Sequence, residues 1–388
     1  MKFSGDVADR LLLLGGILVQ QVELLLRLQH GLHAFSFLVL AVQLVVAILT
    51  TDGDVLPPDA DVPEHLVQSF FPLIHAINYD GVELPLLAVQ VTELDDGVFL
   101  GFVYNHSWAA RGRSHPASTP LLQRWSPDGG RGAAVAPVAL PCADLAGLAA
   151  ARPTTPPPAL RERMLHFSAE SLDALKERAR RELLATGDAA DAAAVTRFQA
   201  LSALLWRCVP RARRPAAPEQ EQEEAVFRAS ANNRGRLRPP LPAEYFGNCI
   251  SAVSTAAVPA SWRWRAATDG RRRPWGARWR RTRPDAAIRA RLAAAPPSVV
   301  AFRLSGANAM FVSSSPRFDM YGCDFGWGKP LAARSGKANK YDGKVSLFPG
   351  REGGGSIDAE VELTPEHMAA LERDAEFWAA VSPDAPRP

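Results

Sequence analysis

Between Leu86 and Tyr104 two apolar, strand-like runs, LLAVQVTEL and VFLGFVY, are separated only by Asp95-Asp96-Gly97. A three-residue connection built on Asp and Gly leaves room for little except an antiparallel hairpin. A second turn signal, Asn78-Tyr79-Asp80-Gly81, precedes it. The hairpin's second strand runs out into Asn105 and His106. Further along, RERMLHFS alternates as a strand, and Ser168 is placed to N-cap the helical pattern SAESLDALKERARREL, with Leu172, Leu175 and Ala179 on one face. RFQALSALLWRCV reads as a second amphipathic helix that turns Phe198, Leu201, Leu205 and Val209 inward. Strand and helix signals thus both occur along the chain.

The chain of 388 residues is long enough for two domains with sizeable cores. Residues 126–158, rich in Pro, Gly and Ala, read as an inter-domain linker between one domain over 51–125 and another over 159–388. Residues 1–50 form an atypical N-terminal segment. Its apolar run, 34–49, is interrupted by Ser36 and Gln43 and falls short of the roughly 20 residues of a membrane span, so a buried, helix-like segment is expected there and no membrane partner.

With 47% apolar and 22% charged residues and a net charge of +3, nothing global requires nucleic acid or a lipid surface. Residues 262–283 interleave Trp and Arg in a way that suits base stacking. No nucleic-acid-binding motif accompanies them, and no nucleic-acid partner is expected. The four cysteines, Cys142, Cys208, Cys249 and Cys323, are widely spaced, with no C-x-x-C pair. That argues against zinc and for free thiols in a reducing compartment, here the cytoplasm.

Two features carry chemistry. A lone histidine after an apolar run, such as His106, reads more readily as a core residue than as a base. The other feature is Y-G-C-D-F-G-W-G-K-P at 321–330, where glycines bracket Trp327 in a compact turn. The D-F-G triplet alone suggests a kinase. The chain has no H-R-D loop, no glycine-rich phosphate loop and no V-A-I-K strand, so that reading fails.

Asp324, Phe325, Gly326, Trp327 and Gly328, following some 200 residues after a strand-end histidine, closely resemble the BAHD acyltransferases of plants. The stretches FFPL at 70–73, INYDG, PLLAVQVTEL, GFVYNH, ALSALLWRCV, NNRGRLRPPLPAEYFGNCISAV and KVSLFPGREGGGSIDAEVELTPEHM resemble the same family, in the same order. Apart from the breaks described below, the resemblance runs from about residue 52 to the C-terminus and points to the acetyltransferase-like branch. It implies an α/β fold of two domains of similar build, each a mixed sheet with packed helices, with 126–158 as the crossover between them and an active-site channel where they meet. It implies transfer of an acyl group from a CoA thioester to an alcohol or amine. Acyl-CoA and a small-molecule acceptor are then the partners of a monomeric enzyme that needs neither a resident cofactor nor a metal. His106 matches the family's general base, Trp327 is placed to help the oxyanion, and Asp324, Phe325, Gly326 and Gly328 take a structural role.

The pattern breaks in three places. The family's first signature is His-x-x-x-Asp-Gly, but Ala110 stands where the Asp belongs, followed by Arg111 and Gly112. In the family that Asp pairs with an arginine and holds the histidine loop, so its loss predicts an impaired enzyme or an inactive relative. Residues 108–124 and 262–283, together with 1–50, depart from the family and read as frame or gene-model artefacts or as marks of a decayed gene.

Overall fold

The computed structural model describes residues 42–48, 61, 64–76, 83–85, 87–94, 97–104, 158–185, 187–213, 224–242, 245, 249–254, 258–259, 309–314, 316–322, 328–337 and 340–383. The chain forms two compact units: unit 1 takes in 1–52, 65–109 and 319–339, and unit 2 takes in 53–64, 110–318 and 340–388. The segment around the second motif therefore groups with the N-terminal strands, although chain order assigns it to 159–388. The linker 126–158 and the Trp/Arg stretch 262–283 lie outside the described residues.

Unit 1 is built on a three-stranded antiparallel sheet of β1 (Val42–Ile48), β2 (Leu87–Leu94) and β3 (Gly97–Tyr104), in the order β1-β3-β2. The hairpin read from the sequence is β2–β3, with Leu94 opposite Gly97. The helix expected in the apolar run 34–49 is corrected: Val42–Ile48 is a strand, its residues pairing in register from Tyr104 back to Val98. Val42, Val45, Val46 and Ile48 are β-branched, which favours a strand. With β2 on one side only, β3 would otherwise leave a row of backbone groups unpaired along its other edge.

As the central strand, β3 is buried on both faces. Val98 and Leu100 pack with Val91 and Phe102, while Phe99 lies within 4.7 and 5.6 Å, ring centre to ring centre, of Phe70 and Phe71. Those two rings follow the short helix α1 (Glu64–Ser69). The approach is close at Gly101, where an added Cβ would fall 2.1 Å from the carbonyl oxygen of Phe70.

Unit 2 alternates further strands and helices. They are β4 (Arg161–Phe167), α2 (Ala169–Ala185), α3 (Ala189–Ala194), α4 (Arg197–Ala212), β5 (Glu224–Asn232), β6 (Ile250–Ser254), β7 (Val258–Pro259), β8 (Ala309–Ser314), β9 (Lys344–Pro349), β10 (Ile357–Leu363), α5 (Pro365–Glu372) and α6 (Ala375–Trp378). The sheet runs β4-β10-β9-β8-β5-β6, with β7 against the start of β5. β8 pairs parallel with both β5 and β9 and the other pairs are antiparallel, so the sheet is mixed.

Both predicted helices form as read. Ser168 Oγ accepts from the Ser171 amide at 3.1 Å, and Leu172 and Leu175 are buried. α4 starts on a reciprocal cap: Thr196 Oγ1 accepts from the Gln199 amide at 3.2 Å, and Gln199 Oε1 accepts from the Thr196 amide at 2.9 Å. Its Leu201, Leu204, Leu205, Cys208 and Val209 close over Phe227, Met310, Val345 and Val361 on one face of the sheet. At its end Arg213 donates from Nε to Asp342 Oδ2 at 2.7 Å and from Nη1 to the Ala309 carbonyl at 3.0 Å, tying the helix to the starts of β8 and β9.

The close contact at Gly101 gives a direct test. Gly101→Ala forces β3 away from Phe70 and is expected to destabilise the protein by about 1–3 kcal/mol. Gly235→Ala, with open space around its Cβ position, should change denaturant stability by less than about 1 kcal/mol. Equal midpoints for the two variants would contradict the packing described.

Candidate active site

The two motif stretches are each described up to their edges. β3 ends at Tyr104, two residues before His106. His106, Ala110 and Arg111 lie outside the described residues, as do Asp324, Phe325, Gly326 and Trp327. Gly328, the last glycine of the motif, has φ +101°, a backbone angle that glycine adopts without strain. Beyond it Pro330 and residues 333–336 are buried in unit 1. The backbone N–H of Lys337 donates to Gln68 Oε1 at 2.9 Å. So the strand leading to His106 and the segment leaving Trp327 belong to one compact unit, and the stretch 64–71 touches both.

A second concentration of charge lies in unit 2, and reading for motifs did not find it. Along β10, Ile357, Ala359, Val361 and Leu363 enter the core, which turns Asp358, Glu360 and Glu362 to the sheet's other face. Each faces a basic residue. His166 Nδ1 lies 2.6 Å from Asp358 Oδ1. Lys340 Nζ bonds Glu162 Oε2 and lies 3.5 Å from Glu360 Oε1. In register, Glu362 stands between Glu162 on β4 and Lys344 on β9.

Glu360 and Glu362 have no solvent exposure, and neither Glu362 oxygen has a hydrogen-bond partner among the described residues. Burial first, then the neighbouring Glu360, pushes the Glu362 carboxyl up to about 8 against the pull of Lys344 and Lys340. Burial likewise raises Glu162 well above the carboxylate range. Lys340 is held charged by the surrounding glutamates, which outweigh its desolvation. Carboxylates this close and this dry cannot all ionise, so the cluster keeps a proton at neutral pH. The signal for this was the alternation I-D-A-E-V-E-L, whose polar positions promise a solvated face that the fold instead covers.

Among the described residues, Cys208, Asp374 and Glu376 are close enough together to hold a metal ion. Arg211 already sits among them, with Nη2 3.3 Å from Cys208 Sγ, 2.6 Å from Asp374 Oδ2 and 2.9 Å from Glu376 Oε2. Burial pushes the thiol up to about 12, so it is protonated and a poor ligand. The set is an ion-pair network joining α4 to α6.

The Transferase family model matches residues 58–378. The chain is 33% identical over 328 residues to "BAHD acyltransferase DCR" of Arabidopsis thaliana, covering 78% of this chain and 64% of that protein. It is 32% identical over 356 residues to "Uncharacterized acetyltransferase At3g50280" of the same plant, covering 84% and 74%. The chain thus spans just under two thirds of the first relative's length. Among solved structures, F. sporotrichioides TRI101, complexed with coenzyme A and T-2, superposes with a TM-score of 0.54 at 19% identity, over 77% of this chain and 70% of that one. That likeness is one of fold.

The proton held in unit 2 has a measurable consequence. A carboxyl raised in the folded state stabilises that state at low pH, and the stabilisation drains away as pH rises from the ordinary value of 4.5 through about 8. One such proton corresponds to about 1.4 kcal/mol per pH unit across that window. Glu362→Gln should therefore gain stability relative to the natural chain at about that rate between pH 5 and 8, and the difference should level off above. Parallel stability–pH curves from chemical denaturation would show that Glu362 is ionised in the folded protein.

Proposed function

The chain belongs to the BAHD acyltransferases of the Transferase family, and from that premise we propose that it moves an acyl group from a CoA thioester to an alcohol or amine of a plant metabolite. His106 is the general base. Its neutral imidazole takes the proton from the acceptor's O–H or N–H as that atom attacks the thioester carbonyl. The tetrahedral oxyanion accepts a hydrogen bond from the indole N–H of Trp327. Collapse breaks the C–S bond, and the proton on His106 passes to the departing CoA sulfur. Asp324, Phe325, Gly326 and Gly328 shape the turn that carries Trp327. Every step is met by side chains and the acyl-CoA co-substrate.

The observation that carries this reading is the intact second motif, Asp324–Gly328, followed by a segment packed in the same unit as the strand that leads to His106. The enzyme is read as a cytoplasmic monomer. Cys208 and Cys249 support the compartment, since both are free thiols.

A second reading has its own observation, Ala110. With no carboxylate at that position the histidine loop lacks its ionic support, and the enzyme is an impaired member of the family. Proton removal by a positioned base is typically worth about 10²–10⁴-fold, and a shift of about 1 Å can cost on the order of 10²-fold. Acyl transfer is measured as free thiol released from acetyl-CoA or hydroxycinnamoyl-CoA with a panel of alcohols and amines. His106→Ala should lower turnover by about 10²–10⁴-fold. Ala110→Asp should raise it, and a family-like replacement of residues 108–124 should raise it further. Turnover indifferent to His106→Ala would remove the base from the proposal, and turnover indifferent to Ala110→Asp would remove the second reading.

A further inference from the structure

α1 carries a polar side chain in an apolar setting. Gln68 is only 5% exposed, beside buried Val67, Phe70 and Phe71. Its Oε1 accepts the Lys337 N–H at 2.9 Å, while its Nε2 has no hydrogen-bond partner among the described residues. A half-satisfied buried amide is a poor choice for packing alone, and a leucine or methionine would fill the same space with no polar atom to satisfy. The amide's orientation is fixed, because only its oxygen can face an N–H donor. The bond therefore serves residue 337, which is 269 positions away in the chain.

What lies at each end gives this bond its meaning. On one side, the stretch 64–73 braces the hairpin. Phe70 and Phe71 pack on Phe99, the Phe70 carbonyl fills the space over Gly101, and Gln90 Nε2 of β2 donates to the Ser69 carbonyl at 2.8 Å. On the other side, Lys337 closes the run that begins at Gly328, directly after Trp327, and whose residues 333–336 are buried. We propose that Gln68 is a positioning residue for acyl transfer: its side-chain amide locks the segment that follows Trp327 onto the stretch that braces the strand leading to His106. The inference rests on the roles given to His106 and Trp327 above. Gln68 itself touches no reactant and acts through both stretches.

Three variants of the full chain test it. Gln68→Leu removes the acceptor at constant size. Gln68→Glu keeps an acceptor oxygen in place. Lys337→Pro deletes the donor from an exposed position and serves if Gln68→Leu does not fold. Gln68→Leu or Lys337→Pro should lower kcat by on the order of tenfold or more, with KM for acyl-CoA within about twofold of the natural chain. Gln68→Glu should retain most of the turnover. In parallel, amide exchange should quicken across 328–337 in Gln68→Leu and stay slow in Gln68→Glu. An unchanged kcat in folded Gln68→Leu, or faster exchange confined to residue 337, would overturn the inference. If the natural chain shows no turnover, the function proposed above fails, and exchange across 328–337 alone decides whether Gln68 holds the segment.

Discussion

Lys340 is the contact on which the second face of the unit 2 sheet depends. β10 brings Glu360 and Glu362 to that face, β4 adds Glu162, and all three are buried. Three carboxylates in a dry environment repel one another, and desolvation opposes the ionisation of each. A lysine between Glu162 and Glu360, a second across from Glu362 and one retained proton make the arrangement stable. Breaking a buried pair from one side typically costs about 3–5 kcal/mol, because the remaining charge is left stranded. The apolar face can tolerate a lost methylene by partial relaxation. The charged face has no such latitude, since Glu162, Lys344, Glu360 and Glu362 are fixed by their register on β4, β9 and β10.

The elements legible in the sequence were those whose signals are local. The hairpin needed only Asp95-Asp96-Gly97 between two apolar runs, and α4 needed only Thr196 and Gln199 three residues apart. The run at 42–48 misled because an apolar stretch broken only by Gln43 has no period of its own; its strand state comes from the open edge of β3, which is 50 residues downstream. The charged face was half legible. The alternation of I-D-A-E-V-E-L gave the strand and its two sides, but the lysine that makes burial of the charged side possible comes from 20 positions before Glu360.

The site divides in the same way. His106 and Trp327 stand out by resemblance, since each falls at a position that matches a family motif. Gln68 does not stand out at all. Its partner is a backbone N–H, which carries no residue signature. In the proposed mechanism, the groups assigned to touch reactants are the ones a sequence can offer in advance; the group assigned to aim them is set by packing. For the same reason the proposed role of Ala110 goes beyond its own small side chain: in that reading it affects how the base is held and not which group is the base.

The placement of the second motif follows from the topology of the sheet. β8 and β9 are adjacent and parallel. A parallel pair cannot be joined by a tight turn, because the chain must return to the starting end of the sheet, which takes a dozen or more residues and usually a helix. Here the connection runs from Ser314 to Lys344, and residues 319–339 of it group with unit 1. The exit is fixed by the pairing of β8 with β9, where Ser313 Oγ donates to Ser346 Oγ at 3.1 Å. The return is fixed twice, by Lys340 among the glutamates and by Asp342 on Arg213. The sheet thus requires a long excursion and anchors both of its ends. Asp324–Gly328 occupies a connection the fold would need in any case, and the anchors leave it a defined length of chain in which to reach unit 1.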